Sequence, residues 1–173
     1  MSNSDLNLVL TGFMGTGKST VGRLVAEALE RPFVDMDAVI EQRAGRTIPR
    51  IFAEQGEAAF RRVERALCRE LAARGGQVIA TGGGALVDDE NRALLIASGL
   101  VICLTAAPEA LIARLQEESD RPLLAVPDPV ARLRELLAVR AEAYAALPYH
   151  VETTDLTPSQ VAEKVLALWQ QSL

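Results

Sequence analysis

The segment from Gly12 to Ser19 constrains the fold of this chain more strongly than any other. It reads GFMGTGKS, follows the apolar run Leu6 to Leu10, and leads into a helix-like stretch that begins at Lys18. A strand, a glycine-rich loop and a helix in this order direct backbone N–H groups at a polyphosphate. Lys18 then supplies a cation for the β and γ phosphates, and the Ser19 hydroxyl is available to Mg²⁺. The motif predicts a nucleoside triphosphate site, whereas an ordinary glycine-rich turn, the alternative, needs no such flanks.

The rest of the chain alternates short apolar runs with helical periodicity. In the first helical stretch, residues at the spacing of one helix face are apolar: Val21, Leu24, Val25, Ala28 and Leu29. Strands are predicted at Leu6 to Leu10, Phe33 and Val34, Val78 to Ala80, Val101 to Leu104, and Val151 to Thr153. This alternation predicts an α/β fold of three layers, in which helices cover both faces of a parallel sheet.

Later segments carry helix-start and loop signals. A second apolar stripe consists of Phe60, Val63, Leu67 and Leu71. Asp128-Pro129 and Thr157-Pro158 each place a capping residue before a proline that suits the first helical turn. Residues 37–64 read as an insertion after the second strand, and residues 116–127 are predicted to form a loop between two helices.

Composition narrows the class of partner. The chain has 173 residues, most simply one domain, and its net charge of −5 argues against general binding to nucleic acid or anionic membranes. No run approaches the roughly 18 apolar residues of a membrane span, and residues 1–7 lack the pattern of a signal peptide.

Cys68 and Cys103 are isolated, so we expect free thiols in a reducing, cytoplasmic setting. We also expect a monomer.

Two carboxylates follow the second predicted strand. Asp35 and Asp37 are two residues apart, and in an extended chain such residues project to the same side. Beside a phosphate loop, one carboxylate suits the Mg²⁺ shell through water and the other suits an acceptor hydroxyl, as hydrogen-bond acceptor or general base. The alternative is a solvated turn with an acidic helix start at Asp37.

A run of glycines follows the third predicted strand. Thr81 precedes Gly82, Gly83 and Gly84, at the carboxyl edge where open α/β sheets bind ligands. Three glycines cost backbone entropy, which is reasonable where a ligand approaches bare amides. A sharp turn without a ligand is the alternative.

Three arginines stand out. Arg61 lies beside the second apolar stripe, and Arg140 shares a helix face with Tyr144 four residues later. Arg121 precedes Pro122 in the predicted loop, from which it is expected to close over a phosphoryl group in transfer. For Arg61 and Arg140, an ordinary place on a solvated surface is the alternative.

In order and spacing, these motifs resemble those of the shikimate kinase family. The resemblance covers nearly the whole chain and includes the segments 12–20, 35–37, 51–64, 81–84 and 120–124 with Arg140 and Tyr144. It implies transfer of the ATP γ-phosphoryl group to the 3-hydroxyl of shikimate, on the route to chorismate and aromatic amino acids. It also implies a five-stranded parallel sheet like that of nucleoside monophosphate kinases.

The resemblance also implies a role for each site residue. ATP is expected to contact Gly15, Thr16, Gly17, Lys18, Ser19, Thr20, Arg114, Arg121 and Pro158, with adenine between Arg114 and the turn at Pro158. Mg²⁺ is expected at Ser19 and, through water, at Asp35. Shikimate is expected at Asp37, Arg61, Gly82, Gly83, Gly84 and Arg140. The catalytic set is then Lys18, Asp37 and Arg121, the last within a lid at about 116–127.

Two departures and two alternatives accompany this assignment. The first departure is that acidic residues lie beside Arg121 in the lid. The second is that residues 145–150 differ from the usual family pattern, and this difference concerns local packing more than chemistry. One alternative is a kinase of another small hydroxy acid, such as gluconate. The other is a regulatory module that binds a nucleotide without turnover.

Overall fold

The structure of the protein, a computed structural model, describes residues 5–116 and 126–173. Within these ranges one sheet contains Asn7–Gly12 (β1), Phe33–Asp35 (β2), Val78–Ala80 (β3), Gly99–Thr105 (β4) and Tyr149–Glu152 (β5). The strand order is β2-β3-β1-β4-β5, and every neighbouring pair is parallel. The predicted five-stranded parallel sheet is therefore confirmed.

Eight helices lie within the described ranges. They are Lys18–Ala28 (α1), Met36–Ala44 (α2), Ile48–Gln55 (α3), Glu57–Arg74 (α4), Asp89–Ser98 (α5), Pro108–Gln116 (α6), Pro129–Ala145 (α7) and Pro158–Gln171 (α8). The predicted caps are present, since Asp128 accepts the Ala131 N–H at 3.0 Å and Thr157 accepts the Gln160 N–H at 3.3 Å. None of these helices is long and apolar enough to cross a membrane.

Side chains on alternate positions of the central strands enter two separate cores. Leu8 and Leu10 of β1 pack with Val21 of α1 and with Val165 and Trp169 of α8. The opposite face of the sheet carries Val9, Ile79 and Val101, which pack with Leu67, Leu71 and Leu95 of α4 and α5. Because strand side chains alternate between faces, this burial on both sides establishes the three-layer αβα arrangement.

The predicted apolar stripes are only partly correct. Ala28 is exposed, and Val63 is 42% exposed. On α4 the buried side chain beside it is that of Glu64, which is 1% exposed. A charged group is buried on the inner face of a helix only when it has a partner. A pattern of apolar residues contains no information about such a partner, so it cannot identify a buried carboxylate.

The topology brings three chain segments to one edge of the sheet. The phosphate loop follows β1, Asp35 ends β2, and Thr81 follows β3. The insertion predicted at 37–64 corresponds to α2, α3 and the first part of α4. The lid predicted at 116–127 and its Arg121 lie almost wholly outside the described residues.

Candidate active site

The loop after β1 is shaped by its glycines. Gly17 precedes α1 with φ 90°, in the left-handed region that glycine enters at little cost. The helix therefore begins at Lys18, and the N–H groups of its first turn have no partner within the helix. The Lys18 ammonium donates to the carbonyl oxygens of Gly12 at 2.8 Å and Phe13 at 2.9 Å. Such a loop presents backbone donors and a cation to one volume.

A cavity of about 760 Å³ opens above this loop, and we call it the P-loop cavity. The predicted nucleotide residues that line it are Gly15, Thr16, Gly17, Lys18, Ser19, Thr20, Arg114 and Pro158. Asp35 and Asp37 line it as well. The one further predicted contact, Arg121, lies outside the described residues.

Arg114 joins the phosphate loop to the segment after β5. Its guanidinium donates to the Gly15 carbonyl oxygen at 3.0 Å, to that of Thr153 at 2.8 Å and to that of Thr154 at 3.2 Å. The Thr153 hydroxyl lies 3.1 Å from the same group. The guanidinium is therefore fixed at the wall of the P-loop cavity, on the side where Pro158 begins α8.

Asp35 and Asp37 converge, although not through an extended chain as predicted. Helix α2 begins at Met36, so Asp35 is its N-cap, accepting the Ala38 N–H at 3.2 Å, while Asp37 lies in the first turn. The alternative of an acidic helix start is thus correct for the backbone, yet both carboxylates line the P-loop cavity. A strand that passes directly into a helix brings both side chains to the sheet edge.

The donor set at Asp35 fits Mg²⁺. The Ser19 hydroxyl donates to an Asp35 carboxylate oxygen at 2.5 Å, beside the phosphate loop. Within residues 5–116 and 126–173, no group of three or more His, Cys, Asp and Glu side chains is placed to hold a metal. Mg²⁺ commonly needs only one or two protein oxygens when substrate phosphates and water complete its shell.

A second cavity of about 350 Å³ lies beside the first, and we call it the glycine-edge cavity. Its wall contains the predicted residues Lys18, Asp37, Arg61, Gly82, Gly83, Gly84 and Arg140. Apolar side chains complete it: Met14, Ile48, Pro49, Phe52 and Phe60. Lys18 and Asp37 belong to both cavities, so the two volumes meet at a cation and a carboxylate.

Glu64 is a site residue that the sequence analysis missed. Its carboxylate accepts from the Arg61 guanidinium at 2.7 Å, inside the glycine-edge cavity. Burial raises the pKa of Glu64, and the charge of Arg61 opposes that rise. The available signal was its spacing, since Glu64 is one turn after Phe60 and three residues after Arg61.

The three glycines leave room for the charged side chains packed against them. A Cβ at Gly82 would lie 2.8 Å from an Asp37 carboxylate oxygen, and one at Gly83 would lie 2.9 Å from Nη1 of Arg140. At Gly84 it would lie 2.8 Å from Nη2 of Arg61. Each glycine therefore makes room for a different charged side chain, which a sharp turn alone would not explain.

Arg140 reaches this edge from α7. Its guanidinium carbon lies 5.1 Å from the centre of the Phe13 ring, and its buried Nη1 has no hydrogen-bond partner in the described ranges. The Tyr144 hydroxyl donates to the Gly83 carbonyl oxygen at 2.5 Å. Arg61 and Arg140 thus carry positive charge into one small cavity that also contains Asp37.

Comparison with known proteins adds independent findings. Residues 14–170 match the family model described as shikimate kinase. The shikimate kinase of Thermodesulfovibrio yellowstonii is 42% identical over 165 residues, which cover 95% of each chain. That of Symbiobacterium thermophilum is 54% identical over 142 residues, covering 81% of this chain and 82% of the relative.

Solved structures agree with these sequence relatives. The shikimate kinase from Acinetobacter baumannii in complex with shikimate has a TM-score of 0.92 at 40% identity, covering 98% of this chain and 95% of that one. A gluconokinase from Sinorhizobium meliloti has a TM-score of 0.62 at 19% identity, covering 97% and 93%. The second likeness is one of fold alone.

Proposed function

The chain belongs to the shikimate kinase family, and we propose that its two cavities divide that family's reaction, ATP-dependent phosphorylation of the shikimate 3-hydroxyl, into a donor and an acceptor half. ATP enters the P-loop cavity and shikimate enters the glycine-edge cavity. One observation carries this division: the cavities share Lys18 and Asp37, the residues expected at the transferred group. Phosphoryl transfer depends chiefly on positioning and charge neutralisation, which this junction supplies.

In the donor half, the backbone of the phosphate loop carries most of the binding. The N–H groups of Gly15 to Thr20 surround the phosphates, and Lys18 exchanges its carbonyl partners for β and γ oxygens. Adenine lies between Arg114 and Pro158. The four contacts that hold the Arg114 guanidinium support this assignment, because a fixed planar group is a good stacking surface.

Ser19 and Asp35 are the residues that would hold Mg²⁺. The hydroxyl would contact the ion and the carboxylate would act through water; the two groups lie together, since the hydroxyl donates to the carboxylate at 2.5 Å. When bound, Mg²⁺ neutralises phosphate charge and orients the γ group.

In the acceptor half, two arginines hold the substrate carboxylate. Arg61, aligned by Glu64, and Arg140 form charge-assisted hydrogen bonds to it, with amides near Gly83 assisting. Asp37 accepts the hydrogen bond of the 3-hydroxyl and directs that oxygen toward the γ-phosphorus.

Arg121 would neutralise the transferred group from the lid. Arg121→Ala should therefore lower kcat more than it raises the KM for shikimate.

The proposal also includes a monomer in a reducing compartment such as the cytoplasm. Both cavities are lined by residues of a single chain, so this division of the reaction needs no second copy. Cys68 and Cys103 are buried free thiols, which suits a reducing setting. Sedimentation equilibrium of the purified chain tests the monomer.

The alternatives make different demands. A gluconate kinase would share the fold, and the likeness to a gluconokinase extends only to the fold. A regulatory module without turnover would have no need for Asp37 at the junction of both cavities.

Release of ADP that depends on shikimate tests the function directly. With Mg²⁺ present, we expect turnover with shikimate and none with gluconate, and phosphorus NMR should place the phosphate on the 3-hydroxyl. Chelation of Mg²⁺ should abolish turnover. Turnover with gluconate alone would replace the acceptor, and ATP binding with no acceptor turnover would favour the regulatory module.

A further inference from the structure

The Arg140 guanidinium contacts one aromatic ring and lies near a second aromatic residue. The ring of Phe13 is 2% exposed, and its centre is 5.1 Å from the guanidinium carbon. Tyr144 follows Arg140 by one helical turn, is 8% exposed, and lies near enough for the charge of Arg140 to act on its hydroxyl. A buried cation over an aromatic face is held more firmly than an exposed one.

Tyr144 also fixes the backbone that Arg140 touches. Its hydroxyl donates to the Gly83 carbonyl oxygen at 2.5 Å, and Nη1 of Arg140 lies so close to Gly83 that a Cβ there would be 2.9 Å from it. Burial raises the pKa of Tyr144 to about 12, although the nearby Arg140 lowers it. The hydroxyl therefore stays protonated near neutral pH and keeps its role as donor.

Arg140 is therefore held in place by its neighbours, while one of its donor nitrogens, Nη1, is buried and has no hydrogen-bond acceptor within the described ranges. A buried donor without a partner is costly, and an anionic ligand that supplies the partner removes that cost on binding. A guanidinium already held in its bound orientation also loses little rotational freedom when the ligand arrives.

We propose that Tyr144 is a positioning residue for carboxylate recognition: it fixes the backbone at Gly83 and, together with the ring of Phe13, holds Arg140 so that Nη1 meets the acceptor's carboxylate. This rests on the proposed function, in which Arg140 binds the carboxylate of shikimate. Tyr144 itself is not part of the wall of either cavity.

The test compares shikimate with its neutral carboxamide. Tyr144→Phe keeps the ring and removes the hydroxyl, so kcat/KM for shikimate should fall about three- to tenfold, through KM, as expected for one lost hydrogen bond. The kcat/KM for the carboxamide, the kcat for shikimate and the KM for ATP should stay within about twofold of wild type. A purely structural role would lower the values for both acceptors by the same factor.

Three further variants complete the design. Tyr149→Phe is the matched control, because Tyr149 is the only other tyrosine and belongs to the wall of neither cavity. It should leave both acceptors unaffected. Phe13→Leu keeps an apolar side chain but removes the ring face, so it should also lower the preference for shikimate over the carboxamide. In an Arg140→Ala background, Tyr144→Phe should have no additional effect beyond about twofold.

The outcomes separate the two proposals. If wild type shows no shikimate-dependent turnover, the proposed function fails. If wild type turns over but Tyr144→Phe lowers kcat/KM equally for both acceptors, only the positioning role is overturned. Additive losses from Tyr144→Phe and Arg140→Ala would overturn it as well.

Discussion

The two halves of the active site are built in different ways. The wall of the P-loop cavity includes one contiguous segment, Met14 to Val21, whose backbone is shaped by glycines in the left-handed region. The glycine-edge cavity is assembled from side chains on α2, α3, α4 and α7 and from three glycines after β3. A backbone surface recognises what all nucleotides share, their phosphates, whereas converging side chains select one acceptor. Substitutions of side chains should therefore affect the acceptor half far more than the donor half.

The largest effect is expected at Asp37, where the two halves meet. Asp37→Asn retains the size of the side chain but removes its charge and basicity. We expect kcat to fall about 10²-fold or more, with the KM for ATP nearly unchanged. Steady-state kinetics with each substrate varied will measure both values.

Glu41→Gln is the matched control for this experiment. Glu41 is also a carboxylate at the wall of the P-loop cavity, and it accepts the Ile48 N–H at 2.8 Å, a bond that an amide oxygen preserves. Equal losses in both variants would show that charge in the cavity, and not the position of Asp37, matters.

The next effect is expected at Arg61 and concerns binding. Arg61→Ala removes a guanidinium that lies in the glycine-edge cavity and leaves the phosphate loop intact. The KM for shikimate should rise about ten- to a hundredfold, as for a lost charge-assisted pair, while kcat changes little. Isothermal titration with shikimate and with an ATP analogue will compare the halves. A selective loss of nucleotide affinity would contradict the division between them.

The difference between contiguous residues and residues that are distant in sequence also explains which features of the fold could be predicted. The start of α1 at Lys18 and the caps at Asp128 and Thr157 depend on neighbouring residues and were predicted correctly. The strand order, with β1 between β3 and β4, depends on tertiary pairing that no local pattern encodes. Five strands could be located, but which strands are neighbours could not be derived from their residues.

Within the site, contiguous residues were easier to assign than convergent ones. The helical positions of Arg61 and Arg140 drew attention to them, and the family resemblance implied their roles. The contact of Arg61 with Glu64 and that of Arg140 with Phe13, however, join residues whose approach depends on packing. The hydrophobic pattern favours Val63 over its neighbour Glu64 as the inward-facing residue, so the pattern alone does not predict a buried carboxylate at this position. The roles of Arg121 and of the lid stay predictions, since they lie outside the described residues.

A smaller effect should distinguish the first and last of the three glycines. A Cβ at Gly84 would meet Nη2 of Arg61 at 2.8 Å, the flexible end of a side chain, so Gly84→Ala should displace Arg61 with little loss of stability. We expect the KM for shikimate to rise about three- to tenfold at an almost unchanged melting temperature.

Gly82→Ala is the variant to compare with Gly84→Ala, because its Cβ would meet a different side chain. That Cβ would lie 2.8 Å from an Asp37 carboxylate oxygen. That variant should lower kcat more than it raises the KM for shikimate. If both alanine variants change the same kinetic constant, the three glycines do not serve different side chains.

The smallest effect is one of stability and concerns Glu64. Burial raises the pKa of Glu64, so the folded state binds its proton more tightly than the unfolded state does. The stabilisation from this group is fully present below the ordinary pKa of glutamate, about 4.3, and is lost as pH rises through the folded value. The Glu64→Gln side chain cannot ionise, so the variant does not lose this stabilisation as pH rises. Between about pH 4 and about pH 8, the melting temperature of Glu64→Gln should therefore rise relative to that of wild type, by a few degrees at most. Glu57→Gln is the control, because Glu57 contacts Arg61 at 3.3 Å from a 66% exposed position, where an ion pair contributes little to stability. A difference that shrinks as pH rises would mean that Arg61 outweighs burial, and the acceptor half would then contain a stabilising ion pair in place of a carboxylate held at a cost in stability.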